Sequence, residues 1–505
     1  MARGRATSVF LIFVGLWMAY CGLGQLLADH FGFLTRDCVA ISSRAILATR
    51  GDALTLLSLG VPHPLLPVVA TLPFAWLGLK NPAIWMSSLL GAITCTWFFV
   101  WFRRDVGRTP LLVVPLLVLP LLPGLVHEAS GGCSGIAALA LIVFAIHLAA
   151  RFALEQQRRS DLRASGQLIA WTDHAREQAH AIRFLWAAAL LLGLACCAQP
   201  GLILALPVFL LVTPLLLPPD ERGQRRRIVT IALLLYLPIL TVYAAEGVLS
   251  AMFDHDFLHA LQTLALGDGG GSGRSVAEAT IEVFAGLVLT CPVLAYLLMR
   301  LRNAAVALLC LIPFLVIWIA ICLGGAPSAR APYTLATLLS ILLIFLGASL
   351  GRFRRGELAA LVCAIVLSVA GSWVFLSNSP AAEEHMLSKL ASGDAGSLAT
   401  FADERRIASS LGHAGILLDE ESGGAFITLL NDPGPFILAY QSRWRFALNN
   451  PEVQASSVLM RAQPGERDQV AATFGSLGRA KQSAFHRIAS AGPWLLLANA
   501  HHLPR

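Results

Sequence analysis

Apolar runs of near membrane-spanning length recur along most of this chain, and they fix its solvent before anything else. They begin near Ser8, Pro62, Pro82, Pro110, Cys133, Phe184, Gly201, Ile228, Ile281, Ala304, Tyr333 and Leu361. Of 505 residues, 56% are hydrophobic and only 13% charged, and the mean hydropathy is +0.70. No water-soluble globule is that apolar, so lipid surrounds most of the chain. The run Ser8 to Leu27 follows Arg3 and Arg5 as a signal peptide would. Its length of about 20 residues and its lack of a small-x-small cleavage pattern make it an uncleaved first span.

The formal charge of +7 lies largely in short loops between the apolar runs. There it sets orientation and implies no nucleic-acid partner. Arg103-Arg104 with Arg108, the stretch Arg151 to Arg183, Arg222 to Arg227, Arg300 to Arg302 and Arg352 to Arg355 all belong on the cytoplasmic side. If the runs at Pro62 and Pro82 both crossed, Arg103-Arg104 would land outside. The run from Pro62 to Leu79 carries prolines at 62, 64, 67 and 73, which remove backbone donors and break helix. It is therefore predicted to be an outer-face juxtamembrane helix that lies along the surface or dips in and out. About eleven spans result, with the first loop and the tail outside.

Arg151 to Arg183 reads as a solvated cytoplasmic helical pair. The runs Phe184 to Ala198 and Leu202 to Leu217 form an outward-pointing hairpin turning at Gln199-Pro200-Gly201. Residues 1–377 make the membrane domain, and residues 378–505 a soluble outer domain with ordinary composition. That tail is long enough for a small α/β core of its own. Ala425 to Leu430 and Phe436 to Tyr440 read as strands, with a turn at Asn431-Asp432-Pro433-Gly434 between them. Helix is expected around Asp468 to Ala484. The ten cysteines show no metal-type spacing and read as small buried hydrophobes.

This topology gathers polar residues at the outer face. Asp29, His30, Arg36, Asp37 and Arg44 share the first loop, His127-Glu128 the second, Asp254-His255-Asp256 and His259 the fourth, and Arg330 the fifth. Asp37, Arg44, Gly51 and then His63-Pro64-Leu65-Leu66 resemble the first outer loop of the GT-C superfamily. These are integral-membrane glycosyltransferases that include protein O-mannosyltransferases and mycobacterial arabinosyltransferases. Phe102-Arg103-Arg104, the prolines leading to His127-Glu128, and Ala329-Arg330-Ala331-Pro332-Tyr333 resemble later elements of the same family. The likeness covers roughly Ser8 to Gly347. One acid stands at Asp37 where many members have two, and Gln199 replaces a usual base.

The resemblance implies transfer of a sugar from a polyprenyl-phosphate donor to a glycan, lipid or protein of the bacterial envelope. The site would lie outside the cytoplasmic (inner) membrane, in the periplasm. Nucleotide sugars are absent there, so a lipid phosphate must carry the sugar. Asp37 is the expected general base of a one-step, inverting displacement. Arg330 and Arg44 are the expected donor-phosphate cations, because guanidinium matches phosphate in bidentate geometry. Glu128 either shares a Mg²⁺ or Mn²⁺ ion with Asp37 or orients the acceptor. His63, His127, Asp254 and Asp256 are the candidate substrate contacts. Each has a plainer reading: a solvated loop acid for Asp37, Asp254 and Asp256, a helix-start residue for Glu128, a cap for His63, and an interface anchor for Arg330. A disulfide between Cys38 and Cys133 is a further possibility in that compartment. A transporter or lipid flippase is the competing class, although no internal repeat is evident. A scaffold whose tail binds a partner is the third.

Overall fold

The computed structural model describes residues 2–51, 65–105, 118–165, 171–199, 224–253, 275–301, 355–377, 399–412, 415–462, 468–474 and 484–500, with a few single residues between them. Its helices in chain order begin with α1 (Ala2–Asp29), α2 (Arg36–Arg50), α3 (Leu65–Trp76), α4 (Pro82–Asp105) and α5 (Pro123–Ser130). There follow α6 (Gly135–Ala164), α7 (Trp171–Ala198), α8 (Arg225–Phe253), α9 (Val276–Thr290), α10 (Pro292–Leu301) and α11 (Arg355–Ser377).

Among the described residues, five stretches are long and apolar enough to cross a membrane: Thr7–Asp29, Pro82–Val100, Gly135–Ser160, Ala181–Ala198 and Arg225–Leu249. The protein is thus a polytopic α-helical membrane protein. The runs expected at Pro110, Gly201, Ala304 and Tyr333 lie largely outside the described residues. Lipid contact shows in large exposed apolar side chains, such as Phe10 and Met18 on α1 and Leu233, Leu237 and Leu240 on α8. The opposite faces pack into two clusters. One joins Phe98, Leu125, Ile142 and Val143 to Val293 and Ile365, and the other joins Leu185 and Ala189 to Ile231 and Ile239. The run expected from Ile281 is broken. The N–H of Cys291 closes α9 on the Leu287 carbonyl, and Pro292 starts α10, where its missing donor costs nothing.

Helix α3 spans 12 residues, about 18 Å, too short for a hydrocarbon core of about 30 Å. It fits the expected juxtamembrane helix. Helix α6 spans 30 residues, about 45 Å, and carries its basic residues Arg151, Arg158 and Arg159 toward its C-terminal end. Helix α7 begins in the matching basic stretch, so the two outrun the membrane together, as the helical pair requires.

The tail forms a five-stranded sheet in the order β2-β1-β3-β5-β4, from β1 (Ile416–Leu418), β2 (Phe436–Ile437), β3 (Ser457–Arg461), β4 (Phe485–Ala491) and β5 (Trp494–Asn499). The pairs β1–β2 and β1–β3 are parallel, and β3–β5 and β4–β5 antiparallel. Helices α12 (Ala402–Ala408), α13 (Glu420–Leu430) and α14 (Gln469–Phe474) accompany it. The α/β class is as expected, but Ala425 to Leu430 is helix rather than strand. Asp419 accepts the Ser422 N–H at 3.2 Å to start α13, and Asn431, at φ 53°, ends it in the left-handed region. Residues 423 to 428 are all buried, so apolar alternation could not separate helix from strand. Phe436–Ile437 is a strand of two residues, and Gln469–Phe474 supplies the described part of the expected helix.

Helix α13 packs on α2. Ile46 and Leu47 of α2 share a core with Phe426, Ile427 and Trp494 of the tail. The tail therefore lies on the same side of the membrane as α2, and the basic end of α6 on the other. A single cysteine placed at position 389 should react with an impermeant thiol reagent on intact cells, while one at position 158 should react only after permeabilisation. Labelling of position 158 in sealed cells would invert this orientation.

Candidate functional site

Asp37 lies in the first turn of α2, in a helix rather than the expected loop. Thr35 starts that helix from an extended conformation, and its hydroxyl accepts the Cys38 N–H at 3.0 Å. The same hydroxyl donates to the Gly131 carbonyl at 2.7 Å, clasping the turn between α5 and α6. Ser134 in that turn then reaches Asp37. Its N–H and hydroxyl donate to the Asp37 Oδ2 at 3.1 and 2.7 Å. Asp37 is exposed, and among the described residues its Oδ1 has no hydrogen-bond partner. One carboxylate oxygen is thus fixed by Ser134.

The turn exists because Gly132 adopts φ +72°. A methyl built there would come within 2.8 Å of the Cys38 Cβ. It folds the chain back so that Cys133 faces the end of α5. His127 and Glu128, on α5, are 1% and 3% exposed, and Cys133 is 3% exposed. One donor atom from each of the three lies within 4.8 Å of the others. The ring of Phe33 meets that of His127 edge-on at 6.4 Å. Cys38 and Cys133 are both buried and are not joined by a disulfide.

The structure separates the other cations and acids of the first loop. Arg44 donates through Nη1 to Glu420 of α13 at 2.7 Å, with both side chains 12% exposed. Asp29 pairs with Lys80 at 2.5 Å on the surface. Arg50, at the end of α2, donates to the carbonyls of Ala75 at 3.0 Å and Asn431 at 2.5 Å. At Gly424 a Cβ would stand 3.0 Å from the Ser43 Oγ, a tight contact. His63, Asp254, Asp256 and Arg330 lie outside the described residues.

Asp37 therefore meets the second outer segment through Ser134, four residues beyond α5, rather than through Glu128 directly. Sequence reasoning missed Ser134, Thr35 and Glu420. Thr35 carried a legible signal as an N-cap residue directly ahead of Arg36-Asp37. Ser134 and Glu420 carried none, since each meets its partner across about 100 residues of chain or more.

No protein-family profile matches the chain, and no curated protein matches it either. Solved structures do. ArnT from Cupriavidus metallidurans bound to undecaprenyl phosphate matches with a TM-score of 0.51 and 14% identity, covering 100% of both chains. The apo state of the same protein matches with a TM-score of 0.51, 13% identity and the same coverage. The Archaeoglobus fulgidus oligosaccharyltransferase in the apo form scores 0.41 at 11% identity, over 89% of this chain and 69% of its own, too low to bear on the fold. The chain thus shares a full-length membrane fold, with its C-terminal soluble domain, with ArnT.

The Arg44–Glu420 contact makes a quantitative expectation. Removing one partner of this part-buried pair leaves the other without its charged hydrogen bond, at a cost of about 1 to 3 kcal/mol. Glu420→Ala should lower the thermal unfolding temperature of the detergent-purified protein clearly, and Glu420→Gln less. A Glu420→Ala protein as stable as its parent would show that the pair does not hold the tail to α2.

Proposed function

We propose that this chain is a membrane glycosyltransferase of the GT-C type, using a polyprenyl-phosphate-linked sugar at the outer face of a bacterial inner membrane. The acceptor is a glycan, lipid or protein of the cell envelope, and the tail is periplasmic. The observation that carries the reading is Asp37: an exposed carboxylate, fixed through one oxygen, on a helix wedged between the membrane domain and the soluble domain. The full-length fold likeness to a protein crystallised with undecaprenyl phosphate supports a lipid-phosphate ligand.

In this reading the acceptor hydroxyl oxygen attacks the anomeric carbon as its proton passes to the Asp37 Oδ1. The bond from that carbon to the phosphate oxygen breaks, and the polyprenyl phosphate leaves with the electron pair. Attack opposite the leaving group inverts the anomeric centre. General-base help of this kind is worth about 10² to 10⁴ in rate. Ser134 fixes the carboxylate and thereby keeps the reacting oxygen in place. Arg330 is assigned the donor phosphate, and His63, Asp254 and Asp256 the sugar and acceptor. Arg44, engaged by Glu420, serves the phosphate only by exchanging that partner. A Mg²⁺ or Mn²⁺ ion shared by Asp37 and Glu128 does not fit these surroundings. Ser134 occupies one oxygen of Asp37, and Glu128 is buried beside a thiol and an imidazole, donors a hard cation disfavours.

Asp37→Asn keeps shape and hydrogen bonding but removes the base. Glycosyl transfer from a polyprenyl-phosphate donor to envelope acceptors should fall by at least about 100-fold, with stability changed by less than about 1 kcal/mol. Transfer near the parental rate, measured with radiolabelled donor in membranes, would move the base elsewhere or remove the enzyme reading altogether.

Arg330→Lys keeps charge but loses the planar fork, and Arg330→Ala loses both. The apparent KM for the lipid donor should rise in that order, with little change for the acceptor. An Arg330→Ala enzyme with parental donor KM but impaired insertion would make this residue an interface anchor.

A further inference from the structure

We propose that His127, Glu128 and Cys133 form a buried zinc site directly behind the Asp37 turn. The three donors differ in kind, and their combination is selective. Thiolate sulfur is a poor ligand for Mg²⁺ and Ca²⁺, whereas imidazole, carboxylate and thiolate together suit Zn²⁺. The spacing agrees. Zinc–nitrogen and zinc–sulfur bonds of about 2.05 and 2.3 Å at a tetrahedral angle place the two ligand atoms about 3.6 Å apart. The His127 Nδ1 and Cys133 Sγ lie 3.8 Å apart. One donor atom from each of the three residues falls within a 4.8 Å group, so closing on an ion needs shifts of less than a bond length.

Charge favours the same ion. One carboxylate and one thiolate balance the two positive charges of zinc, so the loaded site is neutral. That suits residues only 1% and 3% exposed, where an unbalanced charge is expensive. The thiol proton is released on binding: Cys–SH and Zn²⁺ give Cys–S–Zn⁺ and H⁺, and the Glu128 carboxylate neutralises the remaining charge. The turn is preorganised for this by Gly132 at φ +72° and by the Thr35 hydroxyl on the Gly131 carbonyl. Three protein ligands leave a fourth coordination place for a water molecule. The ion would pin Cys133 to the end of α5, and with it Ser134, which holds Asp37. The site stands independently of the chemistry proposed for Asp37.

The test uses the full chain purified in detergent after growth with zinc and without chelators. Metal analysis should find about one zinc per chain, falling below about a tenth in Cys133→Ser and in His127→Gln. Cys95→Ser, a buried cysteine of α4 outside the cluster, should keep its zinc. A second measurement does not depend on the variants folding well. Exchange of the parental protein into Co²⁺ should give a thiolate-to-cobalt charge-transfer band, and chelation should abolish it together with the protection of Cys133 from thiol reagents. Parental protein without zinc and without the cobalt band, or Cys133→Ser with full zinc content, would overturn the site. Either result would leave Asp37→Asn free to succeed or fail by itself.

Discussion

The structure depends on α2 being held from two sides. Its Cys38, Val39, Ile41 and Ala45 pack with Val68, Ala83 and Ile84 of the membrane domain, and its Ile46 and Leu47 enter the core of the soluble domain. A helix so enclosed has little freedom to tilt, because cores close-packed on both faces resist displacement. Polar contacts fix its rotation and its ends: Thr35 on Gly131, Ser42 on the Ala83 N–H, Arg44 on Glu420 and Arg50 on Asn431. Asp37 inherits its position from that frame. A carboxylate in a free loop would have to be ordered before it could act in the proposed reaction.

The tail is consequently part of the site although it touches no reacting atom in this reading. Helix α13 approaches α2 closely at Gly424, where a Cβ would stand 3.0 Å from the Ser43 Oγ, and the Thr428 hydroxyl lies 3.2 Å from the Val39 carbonyl where the two helices meet. The second support is the turn from Gly131 to Ser134. It collects a clasp from Thr35, a left-handed glycine, the buried Cys133 and the serine that orients Asp37. Four consecutive residues thus link α5, α6 and α2, and a change at any of them reaches the carboxylate through very few bonds.

Some of the local errors in reading the sequence have plain causes. The segment Ala425 to Leu430 is almost wholly apolar and buried or half-buried, so no periodicity distinguishes helix from strand. Asp37 looked like a loop residue because α2 is only moderately apolar and its buried faces are covered by partners distant in sequence. His127-Glu128 looked like an exposed polar pair at a span entrance. They are buried because α5 packs against α1, α4 and α11 in the interior of the bundle, a placement that no span count reveals.

By itself the sequence determined the solvent of the protein and the class of its tail. Long apolar runs require lipid, and a tail of ordinary composition builds its own α/β core. It also drew attention to Asp37, through the resemblance of its surroundings to the first outer loop of the GT-C superfamily. These properties depend on neighbours along the chain, which a sequence displays. What only the tertiary structure decided is who meets whom across it: Ser134 on Asp37, Glu420 on Arg44, and Cys133 beside His127 and Glu128. Such contacts are closed by the packing of whole helices and by one glycine in a left-handed conformation. Their partners lie up to 376 residues apart, and no local pattern encodes a distance of that kind.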